Sequence, residues 1–440
     1  GSRRHCQSFH TVNIMTNHAV AFPHMELSGF DAGFSEQELA AQQAVHRFAA
    51  EVMRPIGREL DKMDPDKAYE PGSIFWEFHK AVTALGMGPE ALADLDPMAA
   101  ARLDGLVITE MGWGDVGLAV SAGAGEMPLR AAYASGNPEL IGMCEGKLGC
   151  WIATQPDRGS DGLILYGQER AKGARGNVGN LTARFVGDEI IVNGQSSAWV
   201  SNGYVAQVGL LDIVADYGDG YHDANGNTFG CNIIVPLDTA GISRGKALRK
   251  IGKRPLPQGE IYFDNVRLPR RFAVATRDDY DIKHAMAWAH AGTAMSHISA
   301  GLARAAYEHA LGYANQRVQG GALLGDLQLT QYRLGLIGAK VEAIKAMARH
   351  VAAYTRMSPV PHPYFTAAGK AFCSSEMFQV VNESLQLFGG VGLTQEFPIE
   401  KLLRDARSMQ IEDGETNILF MHFGFLMTQL NRETAWGQVN

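Results

Sequence analysis

A short acidic segment near the C-terminus carries the residues of this chain best suited to proton-transfer chemistry. Asp413 follows Glu412 and precedes Gly414, and Glu415 lies two residues after Asp413. Helical patterns flank the segment, which places Asp413 at a predicted helix-to-helix junction. A carboxylate beside a glycine that lets a ligand approach the backbone suits proton abstraction next to a carbonyl group. Taken alone, the same pattern is also typical of a turn that caps a helix, so other motifs must decide.

The composition is typical of a large globular protein. The chain has 440 residues, of which 46% are hydrophobic and 20% charged, so two or three domains with buried cores are expected. The net charge of −8 argues against a nucleic-acid-binding protein, whose interface would normally be basic. The five cysteines lack CxxC spacing. We therefore expect neither a disulfide framework nor a metal site, and a cytoplasmic location fits.

The N-terminus and the longest uncharged stretch bear on localisation. Residues 1–33 are expected to be a cloning remnant and an N-terminal tail, with the native chain starting at Met15, and no apolar signal-peptide core follows. The uncharged stretch from His284 to Ala303 is rich in Ala and Gly and contains three histidines. Such a segment would be poor in lipid, so we predict a buried helix and no membrane span.

Three regions with different periodicities predict an α+β multidomain fold. Residues 34–150 form a predicted N-terminal helical domain, which opens with a capping box of Ser35 and Glu38. Residues 151–275 alternate with a period of two between turn residues, which predicts a middle β-barrel or sandwich domain. Residues 276–440 predict a C-terminal four-helix bundle. Its long helical patterns cover about Tyr280–Gln319, Leu327–Met357, Pro363–Phe388 and Thr416–Leu430.

The most specific pattern is a block of motifs in the last quarter of the chain. It contains Gln-Leu-Phe-Gly-Gly-Val-Gly from Gln386, Phe-Pro-Ile-Glu-Lys-Leu-Leu-Arg-Asp-Ala from Phe397, and Gln-Ile-Glu-Asp-Gly, which ends at Gly414. These motifs, in this order after a helical and a β region, resemble those of the acyl-CoA dehydrogenase family of flavoproteins. The resemblance covers about residues 34–428 and implies an FAD cofactor and an acyl-CoA substrate.

Three further segments resemble flavin-binding motifs of this family. They are Thr-Gln-Pro-Asp-Arg-Gly-Ser-Asp from Thr154, Trp-Val-Ser-Asn from Trp199, and Tyr-Ala-Asn-Gln-Arg, which ends at Arg317. The first two imply contacts with the flavin ring. The third implies contacts with the pyrophosphate and adenosine end of a flavin on a neighbouring subunit, where a planar guanidinium suits phosphate oxygens. The implied flavin contacts are Trp151, Ala153, Thr154, Ser160, Trp199, Ser201, Arg317, Gln319, Gln328, Gln386, Gly389, Gly390, Glu415 and Asn417.

Two of these segments depart from the family pattern. One residue is inserted between Gly194 and Trp199, which predicts a β-bulge. Gln319 and Gly320 occupy positions where the family commonly has Thr or Ser and Phe.

The resemblance also implies a reaction, the α,β-dehydrogenation of an acyl-CoA thioester with hydride transfer to the flavin. Asp413 matches the family's catalytic Glu and is the implied base, whereas Glu412 stands where the family usually has Tyr and is the fallback. The implied substrate contacts are Ser160, Asp413 and Gly414, and the backbone N–H of Asp413 would stabilise the developing enolate. Burial would raise the pKa of the base. With Glu415, the acidic groups would raise one another's pKa if buried together.

The implied biological setting is acyl-CoA or fatty acid catabolism. An electron-transferring flavoprotein is the implied electron acceptor, and the implied assembly is a homotetramer arranged as a dimer of dimers. Some branches of the family place the base on the first helix of the C-terminal bundle. The corresponding stretch here, residues 288–294, offers no carboxylate.

Three alternative hypotheses stay open. A flavin oxidase or monooxygenase of the same fold, similar to nitroalkane oxidases, would also use an Asp base. A catalytically silent subunit of a hetero-oligomer would bind FAD without reacting, and the altered segment 412–415 is its sequence hint. A plain helical scaffold is disfavoured because it would not explain four flavin-loop motifs in order.

Two further features have both a functional and a purely structural interpretation. His290 and His297 share a helix face and could line the acyl pocket, although buried core histidines are the commoner case. The segment 162–180 is longer than expected for the family and carries Arg170, Lys172 and Arg175. We interpret it as a solvated loop, with contact to CoA phosphates as the alternative.

Overall fold

A computed structural model describes residues 33–86, 88–92, 94–160 and 177–433. The predicted tail with Met15, except Gly33, lies outside the described residues. So does most of the 162–180 segment, including Arg170, Lys172 and Arg175.

The N-terminal region is helical, as predicted. Ser35 Oγ accepts a hydrogen bond from the Glu38 backbone N–H at 3.2 Å, and the Glu38 carboxylate accepts from the Ser35 N–H at 2.7 Å, which confirms the capping box. A π-helical turn, Ala49–Met53, joins the first two helices. The described helices are α1 (Glu36–Phe48), α2 (Arg54–Lys62), α3 (Pro65–Ala68), α4 (Ile74–Ala84), α5 (Pro97–Gly114), α6 (Val116–Ser135) and α7 (Pro138–Cys144).

The middle region is a mixed sheet with its own hydrophobic core. Its strands are β1 (Gly149–Ile152), β2 (Thr182–Val186), β3 (Glu189–Gln195), β4 (Val208–Asp216), β5 (Gly230–Pro236), β6 (Ile242–Arg244), β7 (Ile261–Pro269) and β8 (Ala273–Ala275). The order is β6-β7-β3-β2-β4-β5-β8, and β1 also pairs with β4. Strands β1 and β2 run parallel to β4, whereas the other pairs are antiparallel. Strand β4 is buried along most of its length and forms the centre of this core.

A register shift interrupts the pairing of β3 with β7. It falls between Val192 and Gly194, so the predicted bulge exists but precedes Gly194 instead of following it. Gly194 has φ +117°, and a Cβ atom there would lie 2.0 Å from the Asn180 carbonyl oxygen. Only glycine allows this close approach of two backbone segments.

The C-terminal region contains the predicted long helices. These are α8 (Tyr280–Ala314), α9 (Gln328–Met357), α10 (Pro363–Phe388) and α12 (Thr416–Glu433). A shorter helix, α11 (Ile399–Met409), precedes the acidic segment. Helix α8 ends before the predicted Gln319 because the chain enters a hairpin of β9 (Val318–Gln319) and β10 (Ala322–Leu323), whose tip glycines have positive φ. Short 3-10 turns cover Pro89–Leu92, Arg270–Phe272, Leu324–Asp326 and Gly389–Leu393.

The helical regions share one large core, in which α8 packs against α5, α9 and α10. Across the part of the chain that the structure describes, no helix combines the length and apolar character that a membrane crossing needs.

Glu110 joins three helices through a buried ion pair. Its carboxylate, on α5, accepts a hydrogen bond from Arg304 on α8 at 2.7 Å and lies 2.8 Å from His46 Nδ1 on α1. Burial alone would raise the pKa of Glu110, but Arg304 and His46 outweigh it and lower this pKa to about 2.

We expect this carboxylate to make the folded protein sensitive to acid. Because its folded pKa lies below the ordinary value of 4.5, the stabilisation is present above that pH and is lost as the pH falls toward 2. The shift corresponds to about 3 kcal/mol. Glu110→Gln should therefore flatten the dependence of the unfolding free energy on pH below about pH 5. Urea titrations at several pH values would measure this, and a profile as steep as that of the wild type would contradict it.

Candidate active site

The predicted base lies in a strained turn between α11 and α12. Asp413 has φ +47° and Gly414 has φ +89°, so both residues are in the left-handed region. This region is unfavourable for most side chains, although Asp tolerates it better than most. Residues held in this way are common at functional sites.

Asp413 is half-buried and lines a cavity of about 1870 Å³. Burial raises the pKa of its carboxyl group, and the ammonium groups of Lys253 and Lys370 partly oppose this effect. The expected effect of burial on the pKa is therefore confirmed. A carboxylate with a raised pKa takes a proton from a weak carbon acid more readily than an ordinary one.

Two buried lysines that sequence reasoning missed hold this turn in place. Lys253, in the loop between β6 and β7, contacts the Glu412 carboxylate directly. Lys370, on α10, donates a hydrogen bond to the Gly414 carbonyl at 2.7 Å. Burial lowers the pKa of Lys253 to about 7 and that of Lys370 to about 8, whereas the charge of Asp413 opposes both shifts. Two lysines from different parts of the fold thus hold the residues on either side of Asp413.

The three neighbouring carboxylates have different partners. Glu412 is engaged with Lys253. Glu415 caps α12, because its carboxylate accepts hydrogen bonds from the backbone N–H groups of Asn417 at 3.0 Å and Ile418 at 3.2 Å. Burial is the largest cause of the raised pKa of Asp413.

The loops predicted to contact the flavin ring line the same cavity as Asp413. Trp199 is 64% exposed, which is unusual for tryptophan and indicates a ligand-facing position. Ser160 Oγ accepts a hydrogen bond from the Glu415 backbone N–H at 3.1 Å, which joins its loop to the start of α12. The predicted residues that line this cavity are Trp151, Ala153, Thr154, Ser160, Trp199, Ser201, Glu412, Asp413 and Gly414.

Asn202 fixes the loop that carries Trp199 and Ser201. Its side-chain NH₂ donates to the carbonyl oxygens of Ser121 at 2.8 Å and Gly149 at 3.1 Å, and its Oδ1 accepts from the Ser121 hydroxyl at 2.6 Å. This residue, at φ +64°, therefore ties the loop to α6 and β1. The sequence motif contained Asn202 but gave no reason to assign it this role.

The remaining predicted flavin contacts lie apart from the cavity. At the start of α12, the Asn417 side chain donates a hydrogen bond to the Glu415 carboxylate. The other contacts share an exposed surface of the bundle, where the Tyr313 ring stacks on Phe388 with centroids 4.2 Å apart and so brings the ends of α8 and α10 together. This exposed set consists of Arg317, Gln319, Gln328, Gln386, Gly389 and Gly390.

His290 and His297 both line the cavity. His297 Nδ1 lies 3.0 Å from Thr109 Oγ1, whose own proton is donated to the Gly105 carbonyl at 2.7 Å. We infer that His297 donates through Nδ1. Burial lowers the pKa of His297 to about 4 and also lowers that of His290, so His297 is a neutral polar group at neutral pH.

The lining of the cavity fits a flavin. The exposed Trp199 ring offers an apolar face, and the Thr154 and Ser201 hydroxyls lie on loops beside it. The buried Trp151 Nε1 has no hydrogen-bond partner among the described residues. Pockets for a single small ligand measure roughly 300–1,000 Å³. The volume of about 1870 Å³ therefore leaves room for a second ligand beside the base.

Comparisons with known proteins agree with this geometry. Residues 282–424 match the family model for the acyl-CoA dehydrogenase C-terminal domain. A probable acyl-CoA dehydrogenase of Mycobacterium tuberculosis is 29% identical over 275 residues, which cover 62% of this chain and 65% of that protein. The short/branched chain specific acyl-CoA dehydrogenase of Rattus norvegicus is 25% identical over 414 residues, covering 92% of this chain and 87% of that protein.

Solved structures show the same fold. A glutaryl-CoA dehydrogenase from Mycobacterium smegmatis, in complex with FADH2, has a TM-score of 0.75 at 22% identity and covers 93% of this chain and 99% of that one. The sequence match to the Mycobacterium tuberculosis acyl-CoA dehydrogenase spans just under two thirds of the length of that protein. The family model and the two relatives indicate the acyl-CoA dehydrogenase family, and the solved structure has the same fold as this chain.

Proposed function

We propose that this protein is an FAD-dependent enzyme that converts an acyl-CoA thioester to an enoyl-CoA. The observation that carries the proposal is a half-buried carboxylate of raised pKa, Asp413, which shares one cavity with loops that resemble flavin-binding motifs. The named activities of the relatives, and the FADH2 bound to the Mycobacterium smegmatis glutaryl-CoA dehydrogenase, support it.

The chain's own residues would perform the proton transfer and hold the reactants. Asp413 would accept the α-proton, and its backbone N–H would donate to the thioester oxygen and stabilise the charge that develops there. Lys253 engages Glu412, which leaves Asp413 as the carboxylate available for this proton. Trp199 and the Thr154 and Ser201 hydroxyls would hold the flavin ring. When bound, FAD supplies a hydride acceptor for the β-carbon.

A panel of acyl-CoA thioesters tests this proposal. The FAD-loaded protein would be mixed anaerobically with straight-chain, branched and dicarboxylic acyl-CoA, and loss of the oxidised-flavin absorbance would be followed. We expect at least one thioester to bleach the flavin and to yield the enoyl-CoA. Bound FAD that no thioester bleaches would favour the silent-subunit hypothesis. Rapid reoxidation by oxygen would favour an oxidase.

We also propose that the protein is a homo-oligomer. Leu329, Tyr332 and Leu336 lie on one side of α9 and are 65%, 68% and 48% exposed. This apolar face adjoins Gln328, one of the exposed predicted flavin contacts. A second copy that covers the face would therefore also bring the exposed predicted contacts of this copy, which include Arg317, close to the flavin of the second copy. A dimer of dimers and an electron-transferring flavoprotein as acceptor remain predictions from the resemblance.

Charged residues on this face should weaken the assembly. In the double variant Leu329→Glu/Tyr332→Glu, each added carboxylate would have to be desolvated at the interface. We expect the mass measured by light scattering to fall to that of a smaller species, with weaker retention of FAD. Phe365→Glu, which places a charge on a partly exposed aromatic of α10, is the matched control. A double variant of unchanged mass would contradict the proposed interface.

A further inference from the structure

A second, much smaller cavity lies on another side of the predicted base. It measures about 30 Å³ and is lined by residues of α8, α10 and α12 and by Asp413. Asp413 and Trp288 line both this space and the large cavity. A cavity needs about 10–15 Å³ and several polar partners to hold one water molecule. The polar side chains on its wall are His284, Trp288, Tyr364, Lys370, Asp413 and His422.

Two of these lining groups lack partners of their own. The Trp288 indole Nε1 and His422 Nε2 are buried and have no hydrogen-bond partner among the described residues. Buried polar groups of this kind are normally satisfied by protein atoms or by ordered water. Burial also lowers the pKa of His422 to about 4, so this ring is neutral near pH 7 and is a poor proton acceptor. The chemistry of the wall therefore favours a wet cavity.

His284 is the lining group best prepared to receive a proton. Its Nδ1 lies 2.9 Å from the carboxylate of Asp212, which is buried in β4 and also accepts a hydrogen bond from the Tyr280 hydroxyl at 2.7 Å. Burial would raise the pKa of Asp212, but the interactions with His284 and Tyr280 outweigh it and lower this pKa. The Asp212 carboxylate accepts a hydrogen bond from His284 Nδ1, which leaves Nε2 as the ring nitrogen available to a water molecule.

His284 also lies near the protein surface. It is in the second turn of α8, and 13% of its side chain is exposed to solvent. Lys370, by contrast, is deep in the bundle and donates its hydrogen bond to the Gly414 carbonyl. An ammonium group has no lone pair for a further proton.

We infer that water in this small cavity carries the abstracted proton from Asp413 to His284, which returns it to solvent. The inference rests on the proposed dehydrogenation. Protonated Asp413 gives its proton to the cavity water, which passes one of its own protons to His284 Nε2. The imidazolium is stabilised by the Asp212 carboxylate until bulk water takes the proton, so the base regains its charge for the next turnover.

Isotope exchange separates this role from a structural one. FAD-loaded protein would be incubated anaerobically in D₂O with butyryl-CoA, or with the panel thioester that bleaches the flavin fastest, and without an electron acceptor. Deuterium at the α-carbon then reports exchange of the abstracted proton with solvent, whereas stopped-flow bleaching reports proton abstraction itself. The variants are His284→Asn and Ala367→Val, which adds two methyl groups at the wall of the small cavity. The matched control is His309→Asn, on the same helix but outside both cavity walls.

We expect His284→Asn and Ala367→Val to lower α-deuterium incorporation about tenfold or more while flavin bleaching changes by about twofold or less. His309→Asn should behave like the wild type. Equal losses of exchange and bleaching, or unchanged exchange in both variants, would overturn the relay.

A crystal structure of the wild type gives an answer that does not depend on activity. We expect a water within hydrogen-bond distance of both the Asp413 carboxylate and His284 Nε2, and a dry cavity would overturn the inference even for an active enzyme. If no thioester bleaches the wild-type flavin, the proposed function fails instead, whatever the cavity contains.

Discussion

Asp413→Asn should slow bleaching of the bound flavin by acyl-CoA about a thousandfold or more. Asparagine has nearly the same shape but cannot accept the α-proton. It also tolerates the left-handed conformation that Asp413 adopts at φ +47°, so the turn should be preserved. FAD content and thioester binding should therefore stay close to those of the wild type. Stopped-flow absorbance under anaerobic conditions measures the rate, and equilibrium titration measures binding.

Glu412→Gln is the control that decides between the two neighbouring carboxylates. Glutamine can still accept a hydrogen bond from Lys253, and the structure gives Glu412 an ion-pair role instead of a free carboxylate. We expect its bleaching rate to stay within about tenfold of the wild type. A Glu412→Gln variant that is inactive, together with an active Asp413→Asn variant, would move the base to Glu412. Asp413→Glu, which introduces the residue that the family usually has, should retain measurable activity.

Lys401→Met should destabilise the folded protein by about 3–5 kcal/mol. Lys401 Nζ lies 2.7 Å from carboxylate oxygens of both Asp115 and Asp405, and all three residues are buried. Removal of the cation would leave two buried carboxylates without their counter-charge. Because a whole domain is stable by only about 5–15 kcal/mol, this loss is large. Urea unfolding followed by circular dichroism would show it as a lower midpoint.

Lys340→Met is the matched control for a lysine ion pair on the surface. Lys340 Nζ also lies 2.7 Å from a carboxylate, that of Glu376, but both side chains are about one-third exposed. Solvent screens this pair, so its loss should cost about 1 kcal/mol or less. If the two variants unfold at the same urea concentration, the buried Lys401 cluster contributes no more to the free energy of unfolding than the surface ion pair.

The loss of Lys401 should also affect the predicted catalytic base, Asp413. Asp405 Oδ1 accepts a hydrogen bond from the Lys253 backbone N–H at 2.5 Å, and Lys253 has the unfavourable φ of +49°. The Lys401 cluster therefore supports the backbone that presents Lys253 to Glu412. If the Lys401→Met variant still folds, its bound flavin should be bleached more slowly than that of the Lys340→Met variant by the same thioester.

Local patterns were enough to predict the elements of the fold. The capping box of Ser35 and Glu38 marks the start of α1, and α10 has the bounds Pro363–Phe388 that its helical period predicted. Such features depend on residues close in sequence, which is why they can be read without coordinates. The hairpin after α8 was missed because its two strands have only two residues each, which is too short for an alternating pattern.

The parts of the site that depend on tertiary packing could not be predicted. Lys253 belongs to a run with Arg249, Lys250 and Arg254, which is typical of an exposed loop, and nothing in the run shows that Lys253 is buried. Asp212 is different. An acidic residue inside the apolar strand β4 was a visible anomaly, because buried carboxylates require partners. Its partners in the structure are Tyr280 and His284 on α8.

The contact between Lys253 and Glu412 makes the C-terminal segment less transferable than its position in the chain suggests. A chimera that takes residues 399–433 from a relative with Tyr at position 412 would leave an ammonium group without its counter-ion in a low-dielectric interior. If the loop 249–254 is taken from the same relative at the same time, residues 253 and 412 both come from one protein and remain compatible with each other. Protein engineers who wish to swap acyl specificity in this scaffold should therefore move these two distant stretches as one unit.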